Sequence, residues 1–412
     1  MSPISRPSRA VLGASVAALT MVVATACGPD NSDPANGAQT TAPTVAATGT
    51  DKPGAAPIKL PTLDEVKKWK PEDWENWAKT NVITPAVKGY WDLQKILKAK
   101  PSKPGPGKQP TGQPTAAPTA QPTAAPTSAA PAQPTTQAPA QPPADGGNDP
   151  KPALVQEKPV PHPFAKNFNV NGKLFFMDGN DEYVCSGTVI SDPANPGKSN
   201  LVWTASHCLH GGKGGKSHTN IVFAPGFNSN GALSGGKQAT LAQAEPFGEW
   251  GATAGIVSPT WAGEADPENG GPWSQYDFGI IRVANPDGSN KSLEETVGGS
   301  VPVWFNAPRD QITAVSSYGY PAGKPFDGME LEHCDAPKPV RTSLDASRPA
   351  MLTIGCNGTG GDSGGGWFAM KDGKQVLVSD TSIGGFDNTW EAGPYLDDVA
   401  AKALDYISKK TK

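Results

Sequence analysis

The chain is poor in the residues that build a hydrophobic core and poor in charge. Only 36% of its 412 residues are apolar and 18% are charged, whereas 47 are Gly and 44 are Pro. Each of these two residues therefore makes up about 11% of the chain, against usual values near 7% and 5%. This composition excludes a single compact domain that spans all 412 residues.

Long apolar runs and a basic surplus are also missing. After residue 26 no run is long enough for a membrane helix, which excludes a protein with several membrane spans. The net charge of −4 and the pI near 5.8 give no basic surface for nucleic acid. What remains is enough chain for one folded domain of about 250 residues.

The N-terminus has the order of a secretory signal. Arg6 and Arg9 precede an apolar stretch over residues 10–26, and Ala24-Thr25-Ala26 stands directly before Cys27. Two kinds of processing fit residues 1–26. An ordinary signal peptidase would cut at Ala-x-Ala, and a bacterial lipobox would end with a lipid on Cys27, although Ala24 stands where that pattern prefers Leu.

The five cysteines favour lipidation. Four of them lie in the C-terminal half, at separations that suit two disulfides in an oxidising compartment, and three connectivities are open. Cys27 is left over, and a lipid would account for it. The sequence thus predicts an exported protein, held at the outer face of the bacterial cell membrane by a lipid anchor at Cys27 or secreted freely.

Three segments of different composition separate the signal from the C-terminal half. Residues 28–57 are rich in Gly, Pro, Ala, Thr and Asp and have no potential to form a core, which predicts a disordered linker. Residues 58–100 are rich in Trp and predict a small helical segment. Residues 101–150 hold 14 prolines and no Leu, Ile, Val or aromatic residue, which predicts an extended tether.

The Trp-rich segment has two helix starts. Thr62 with Glu65 forms a capping box, and Pro71 is followed by two acids. Apolar surface is supplied by Trp69, Trp74, Trp77, Tyr90, Trp91, Leu93, Ile96 and Leu97. About 40 residues are marginal for independent folding. The segment is therefore a helical hairpin that shields its own tryptophans, a piece docked onto the main domain, or a pro-segment or cell-wall-binding module.

Residues 151–412 have the pattern of an all-β domain that ends in one helix. Short apolar runs rich in Val, Ile, Phe and Trp alternate with turn residues. The predicted strands are 173–177, 183–190, 200–204, 220–224, 278–283, 301–305, 311–318, 351–354, 366–370 and 375–378. From Leu396 to Ile407 apolar residues recur every three or four positions, which predicts a helix.

Three short motifs hold residues suited to nucleophilic catalysis. Ser363 lies in the glycine-dense turn Gly361-Asp-Ser-Gly-Gly365, where glycines permit backbone N–H groups to face an oxyanion. His207 follows a predicted strand and precedes Cys208, and Asp277 stands at the start of a buried apolar strand. Such an acid orients an imidazole and stabilises its charged form.

In the order His207, Asp277, Ser363, these motifs resemble the trypsin/chymotrypsin family of serine proteases, over roughly residues 165–410. The region from Tyr318 through Cys356 is most similar to the bacterial glutamyl-endopeptidase-like branch. The resemblance implies a fold of two six-stranded antiparallel β-barrels with a C-terminal helix. It also implies the disulfides Cys185–Cys208 and Cys334–Cys356.

The family's mechanism implies roles for particular residues. N–H groups of Gly361 and Ser363 are expected to form the oxyanion hole. Residues expected to contact substrate are Asn357, Thr381, Ser382, Ile383 and Gly384. The implied function is an extracytoplasmic serine endopeptidase that acts on protein or peptide substrates through an acyl-enzyme, without metal or cofactor, and as a monomer.

The chain departs from the family's pattern at several positions. Gly366 replaces the usual Pro, and His207 and Asp277 are so far apart that an enlarged loop is expected over residues 226–275. No sequence like Ile-Val-Gly-Gly precedes Cys185, so the sequence does not support the family's usual activation, in which a new N-terminus pairs with the residue at the position of Asp362. Thr381 stands where glutamate-specific relatives carry His, and Asn357 is not the acid that selects Arg or Lys, so the specificity stays open.

The sequence offers other candidate groups and other functions beside this interpretation. His210 is the rival base and Asp266 the rival acid. Both lie in polar or glycine-rich stretches, and His162, His218 and His333 are likewise expected at the surface or in loops. A catalytically silent β-barrel that binds a ligand and an envelope-tethered adhesion or structural protein are the alternative functions.

Overall fold

The computed structural model describes residues 61–102, 147–266 and 268–410. The signal peptide, Cys27, the 28–57 linker and nearly all of the Pro-rich tether lie outside these residues. Within them, none of the helices combines the length and the hydropathy needed to cross a membrane.

Short helices and many strands make up the described residues. The α-helices are α1 Leu63–Lys67, α2 Pro71–Thr80, α3 Leu93–Lys98, α4 Leu241–Ala244, α5 Pro259–Glu264, α6 Leu293–Val297 and α7 Asp398–Lys409. The strands are β1 Lys100–Pro101, β2 Lys158–Pro159, β3 Asn171–Asp178, β4 Asp181–Ile190, β5 Leu201–Thr204, β6 Thr219–Pro225, β7 Trp250–Val257, β8 Gly279–Ala284, β9 Ala314–Gly319, β10 Glu332–Pro337, β11 Val340–Thr342, β12 Met351–Ile354, β13 Gly366–Lys371, β14 Lys374–Asp380, β15 Ile383–Gly384 and β16 Glu391–Gly393.

The first half of the domain is a closed barrel. Its antiparallel strands follow the order β4-β3-β6-β7-β8-β5, and pairing of β4 with β5 closes the ring. Closure removes the free sheet edges that would otherwise invite aggregation. Inside, the apolar residues form one core that contains Phe175, Trp203 and Ile281.

The second half is built from two further sheets. One has the order β14-β13-β9-β10-β2 and the other β11-β12-β16-β15. Helix α7 closes the chain, with the Asp397 side chain capping its N-terminus and residues such as Val399 and Ile407 buried. The all-β, chymotrypsin-like fold with a C-terminal helix is thus confirmed.

Some local predictions differ from the structure. Residues 301–305 form only isolated bridges at Val301 and Val303, because Pro302 between them lacks the N–H that a ladder needs. The interval 226–275, expected as one enlarged loop, contains α4, β7 and α5. Strand β7 escaped the sequence pattern because Gly251, Ala252 and other small residues interrupt its apolar alternation.

Both disulfides form as the resemblance implied. Cys185 of β4 is bonded to Cys208, just after β5, and Cys334 of β10 is bonded to Cys356, just after β12. Each links neighbouring parts of one half of the domain. Disulfides are typical of proteins in oxidising compartments, so this pairing is consistent with export.

The Trp-rich segment docks onto the first barrel. The indole N–H of Trp77 donates to the Val257 carbonyl at 3.2 Å, and that of Trp91 donates to the Asn220 carbonyl at 2.8 Å. Trp91 also packs against Phe175, with ring centroids 5.4 Å apart. Of the alternatives for this segment, the structure therefore supports a piece that shares its core with the main domain.

Candidate active site

Strand pairing brings His207 and Asp277 together. β5 and β8 are antiparallel neighbours, and Thr204 at the end of β5 lies opposite Gly279 at the start of β8. The residues that follow β5 and those that precede β8 therefore meet at one end of the barrel. The Nδ1 atom of His207 lies 2.7 Å from Oδ2 of Asp277, and the His207 backbone N–H donates to Oδ1 at 2.9 Å. The carboxylate thus fixes both the ring and its backbone.

Asp277 is fully buried, and a third donor completes its surroundings. The Ser382 hydroxyl donates to Oδ2 at 2.6 Å. Hydrogen bonds from three donors stabilise a buried carboxylate, which would otherwise be costly. The hydroxyl of Ser382, a residue that is predicted to contact substrate, thus holds the acid in place.

The turn that carries Ser363 is fastened to the barrel. The backbone N–H of Ser186 in β4 donates to the Ser363 carbonyl at 2.7 Å, and the Ser186 hydroxyl donates to the Gly361 carbonyl at 2.9 Å. Gly361 has φ +101°, and a Cβ there would lie 2.7 Å from the Tyr320 carbonyl oxygen. The turn consequently requires glycine at this position.

A carbonyl group of the chain itself lies at the nucleophile. The Ser102 carbonyl oxygen accepts hydrogen bonds from the Ser363 hydroxyl and from the Gly361 N–H, each at 3.1 Å. Nε2 of His207 is buried and has no hydrogen-bond partner among the described residues. The Gly361 N–H, predicted to face an oxyanion, therefore does bind an oxygen in this structure.

The other predicted substrate-binding residues lie beside this turn. Thr381 exchanges backbone hydrogen bonds with Gly364 and Gly365, and its hydroxyl accepts from the Trp367 indole at 2.9 Å. Ile383 and Gly384 form β15, which pairs with β16. The Asn357 side-chain oxygen accepts from the Glu157 N–H at 2.6 Å.

Three carboxylates gather next to Asn357. Oxygens of Glu157, Asp362 and Glu391 lie within 4.8 Å of one another, and all three surround the space where a Cβ on Gly358 would stand. Glu391 is directly opposite Gly384 in the β15–β16 pair. This side of the site therefore holds three carboxyl groups.

A second group of potential metal ligands has a different explanation. Cys185, His207 and Cys208 also lie within 4.8 Å of one another. Both sulfurs belong to the Cys185–Cys208 disulfide, so they are not thiolates and do not act as metal ligands.

His210 and His218 lie in loops, as predicted, but both are buried, whereas His333 lies in β10 and not in a loop. His218 stacks on Phe176, with ring centroids 4.6 Å apart, and its Nε2 lies 3.2 Å from the His207 carbonyl. His210 accepts the Gly212 N–H at Nδ1, and burial lowers its pKa to about 4. Because His210 folds back on its own turn, it is not placed as a base for Ser363.

The remaining rivals lie away from Ser363. Asp266 is exposed and bonds to Glu268 and Asn269 in its own loop. His162 bonds to Glu330, and His333 stacks on Tyr318. None of these residues contacts His207 or Ser363 in a hydrogen bond among the described residues.

Sequence reasoning missed the part that Ser102 plays. Pro101 and Ser102 were predicted as the start of the Pro-rich tether, and nothing in their local sequence indicates a partner 261 positions away. The only hint in the sequence was the apolar content of residues 58–100, which indicates that this segment buries apolar surface against another part of the chain.

Solved structures similar to this chain are serine proteases of the chymotrypsin fold. A thermostable serine protease, AL20, from an extremophilic microorganism is 29% identical, with 60% of this chain and 100% of that chain covered at a TM-score of 0.47. The protease Anisep from Arthrobacter nicotinovorans is also 29% identical, with 62% and 99% covered at 0.47. A Glu endopeptidase crystallised with MPD is 16% identical, with 63% and 99% covered at 0.45.

Comparison of the sequence alone finds no match. No protein-family model matches the chain, and no curated protein does. The strand order and the closed barrel identify the fold from the chain's own coordinates. The chain has the fold of the chymotrypsin-like serine proteases, and its activity is a separate question.

Proposed function

We propose that the protein is a serine endopeptidase that hydrolyses peptide bonds through His207, Asp277 and Ser363. The observation that carries the proposal is the buried hydrogen bond of 2.7 Å between His207 and Asp277. The turn that carries Ser363 packs beside this pair, because the Ser363 carbonyl oxygen lies 3.7 Å from Sγ of Cys208, the residue that follows His207. A base that is held by an acid and lies next to a serine is the arrangement that activates a serine hydroxyl.

The proposed reaction is acyl transfer. The Ser363 hydroxyl attacks the substrate carbonyl, and its proton passes to Nε2 of His207, whose Nδ1–H is held by Asp277. N–H groups of Gly361 and Ser363 stabilise the oxyanion, by about 3 kcal/mol per donor in comparable sites. The protonated His207 then gives its proton to the leaving amine, and water hydrolyses the acyl-enzyme by the same route in reverse.

The enzyme is proposed to act outside the cytoplasm. The sequence of residues 1–26 and the two disulfides support export, and Cys27 supports a lipid anchor at the outer face of the membrane. Mass spectrometry of the mature N-terminus tests this directly. A diacylglycerol on Cys27 is expected, and an unmodified N-terminus would show free secretion instead.

Covalent labelling tests the activity itself. A fluorophosphonate reacts only with an activated serine, so the protein is expected to carry the label on the peptide that contains Ser363. The Ser363→Ala variant, purified in the same way, is expected to stay unlabelled. A catalytically silent binding protein or an adhesion protein would give no label in either chain, even at long incubation.

A peptide library then tests side-chain preference. Because the carboxyl groups of Glu157, Asp362 and Glu391 lie together beside Asn357 and Gly384, we expect peptides with Asp or Glu before the cut to be the poorest substrates. Preferred cleavage after Glu would contradict this expectation and would favour the specificity of the glutamyl-endopeptidase-like branch.

A further inference from the structure

The end of the Trp-rich segment lies across the site. Lys100 and Pro101 form β1, which adds a parallel strand to Tyr183 and Val184 of β4. The Ser102 N–H donates to the Val184 carbonyl at 3.0 Å, and the Ser102 carbonyl then accepts the Gly361 N–H and the Ser363 hydroxyl. Both polar backbone groups of Ser102 are thus satisfied by the barrel and the nucleophile turn.

We propose that residues 61–102 hold the enzyme latent by placing the Ser102 carbonyl in the oxyanion hole. This inference rests on the proposed function, because it needs Ser363 to be a nucleophile. A substrate carbonyl must use the same N–H of Gly361, so the segment and a substrate exclude each other. Activity then requires that the segment be displaced.

The contact is a block and not a productive substrate complex. For attack, the hydroxyl of Ser363 must direct its proton to Nε2 of His207 and its oxygen to a carbonyl carbon. In the structure the hydroxyl donates to the Ser102 oxygen, and Nε2 has no hydrogen-bond partner among the described residues. The acceptor that should take the proton is therefore not engaged.

Several anchors hold the segment on the barrel. Trp91 donates its indole N–H to the Asn220 carbonyl, and the Ala86 N–H donates to the Ala252 carbonyl at 3.3 Å. Closer to the site, Nζ of Lys100 lies 2.9 Å from Oδ1 of Asp181. Because the blocking group belongs to the same chain, its effective concentration at the site is of the order of millimolar or higher.

The test compares rates of fluorophosphonate labelling at Ser363 in full-length chains. Ser102→Pro removes the N–H that binds the Val184 carbonyl and weakens the block. Ser102→Ala is the matched control, because it keeps every backbone contact and removes only the hydroxyl. We expect Ser102→Pro to be labelled about tenfold faster than the wild type, and Ser102→Ala to be labelled at the wild-type rate.

A charge exchange provides a second test that does not alter the backbone. Lys100→Glu places like charges together and is expected to speed labelling about threefold at low salt, as an exposed pair allows. The double variant Lys100→Glu/Asp181→Lys is expected to return to the wild-type rate. Salt should reduce both differences.

The outcomes separate the two proposals. Equal labelling rates in all these chains would overturn latency and leave the proposed function standing. Absence of label on Ser363 in every chain would refute the proposed function, and the inference would fall with it. Conversion of the wild-type chain to a fragment that ends at Ser102 would show a substrate in place of a block, and would also overturn the inference.

Discussion

Replacement of Asp277 by Asn gives the sharpest test of the site. In the wild type, Oδ1 accepts the His207 backbone N–H and Oδ2 accepts Nδ1–H. An Asn side chain has one oxygen, and if it keeps the backbone contact, its NH₂ group faces Nδ1. Nδ1 must then accept a hydrogen bond from this NH₂ group, so the ring proton moves to Nε2. Nε2 thereby loses the lone pair that would take the proton of Ser363.

The expected loss follows from charge as well as from the tautomer. When His207 is protonated, its positive charge lies about 4 Å from the carboxylate, which is worth about 4 kcal/mol at an effective dielectric constant of 20. Since 1.36 kcal/mol is a factor of ten in rate, this alone predicts a loss of about 10³. The unfavourable tautomer extends the loss towards 10⁴, as in comparable triads.

The assay is the rate of Ser363 labelling, with an ester substrate as a second measurement, in chains that differ only at the tested residue. Asp380→Asn is the matched control. Asp380 is equally buried, and burial raises the pKa of its carboxyl well above the usual value. Its Oδ1 accepts the Trp203 indole N–H at 2.8 Å, a hydrogen bond that the oxygen of an Asn side chain can also accept. A loss below tenfold in Asp277→Asn, or an equal loss in Asp380→Asn, would refute the assigned role of Asp277.

Three further predictions concern stability and the oxyanion hole. Burial raises the pKa of Glu245 to about 9, so this carboxyl is expected to lower the unfolding free energy by about 2 kcal/mol between pH 5 and 7, where only the unfolded chain releases its proton. Glu245→Gln should remove this share of the loss in urea titrations, and the share of Glu249 and Glu332, whose pKa values are raised to about 7, should remain. Burial lowers the pKa of the nearby Lys173 to about 7. This group therefore raises the unfolding free energy as the pH rises, and it does so mainly above pH 7. Gly361→Ala should lower the labelling rate about 100-fold, because φ +101° is strained for Ala and the N–H is displaced, whereas an unchanged rate would exclude this N–H from the reaction. Joint replacement of Cys185 and Cys208 by Ser should lower the unfolding free energy by about 3 kcal/mol, and an unchanged melting temperature would contradict this.

The sequence predicts the barrel because its strands carry their own signals. Runs such as residues 183–190 and 366–370 are apolar, rich in β-formers and bounded by turn residues, and the structure has β4 and β13 there. His207 and Asp277 are predictable for a related reason. Each follows or precedes a strand that has its own pattern, so their roles depend on local motifs and on one strand pairing.

Burial of polar residues is harder to predict than the strands. His218 lies in a stretch of Gly, Lys and Ser, which reads as an exposed loop, yet it packs under His207 and on Phe176. The resemblance predicts that Ser382 lies in a strand that lines the substrate. That its hydroxyl donates to Asp277 depends on how the first and the second half of the domain pack against each other. Such contacts are determined by tertiary packing, and they produce no periodic pattern in the sequence.

The contact of Ser102 with Ser363 shows why composition alone misjudges the N-terminal segment. A Pro-rich sequence predicts an extended chain, and β1 is indeed extended; extension is also what lets a chain add a strand to β4. What composition cannot supply is the partner, because the barrel edge at Val184 and the N–H of Gly361 exist only after the domain has folded. If displacement of this segment governs activity, then the Trp-rich residues that hold it on the barrel control the enzyme, although they lie far from Ser363 in the sequence.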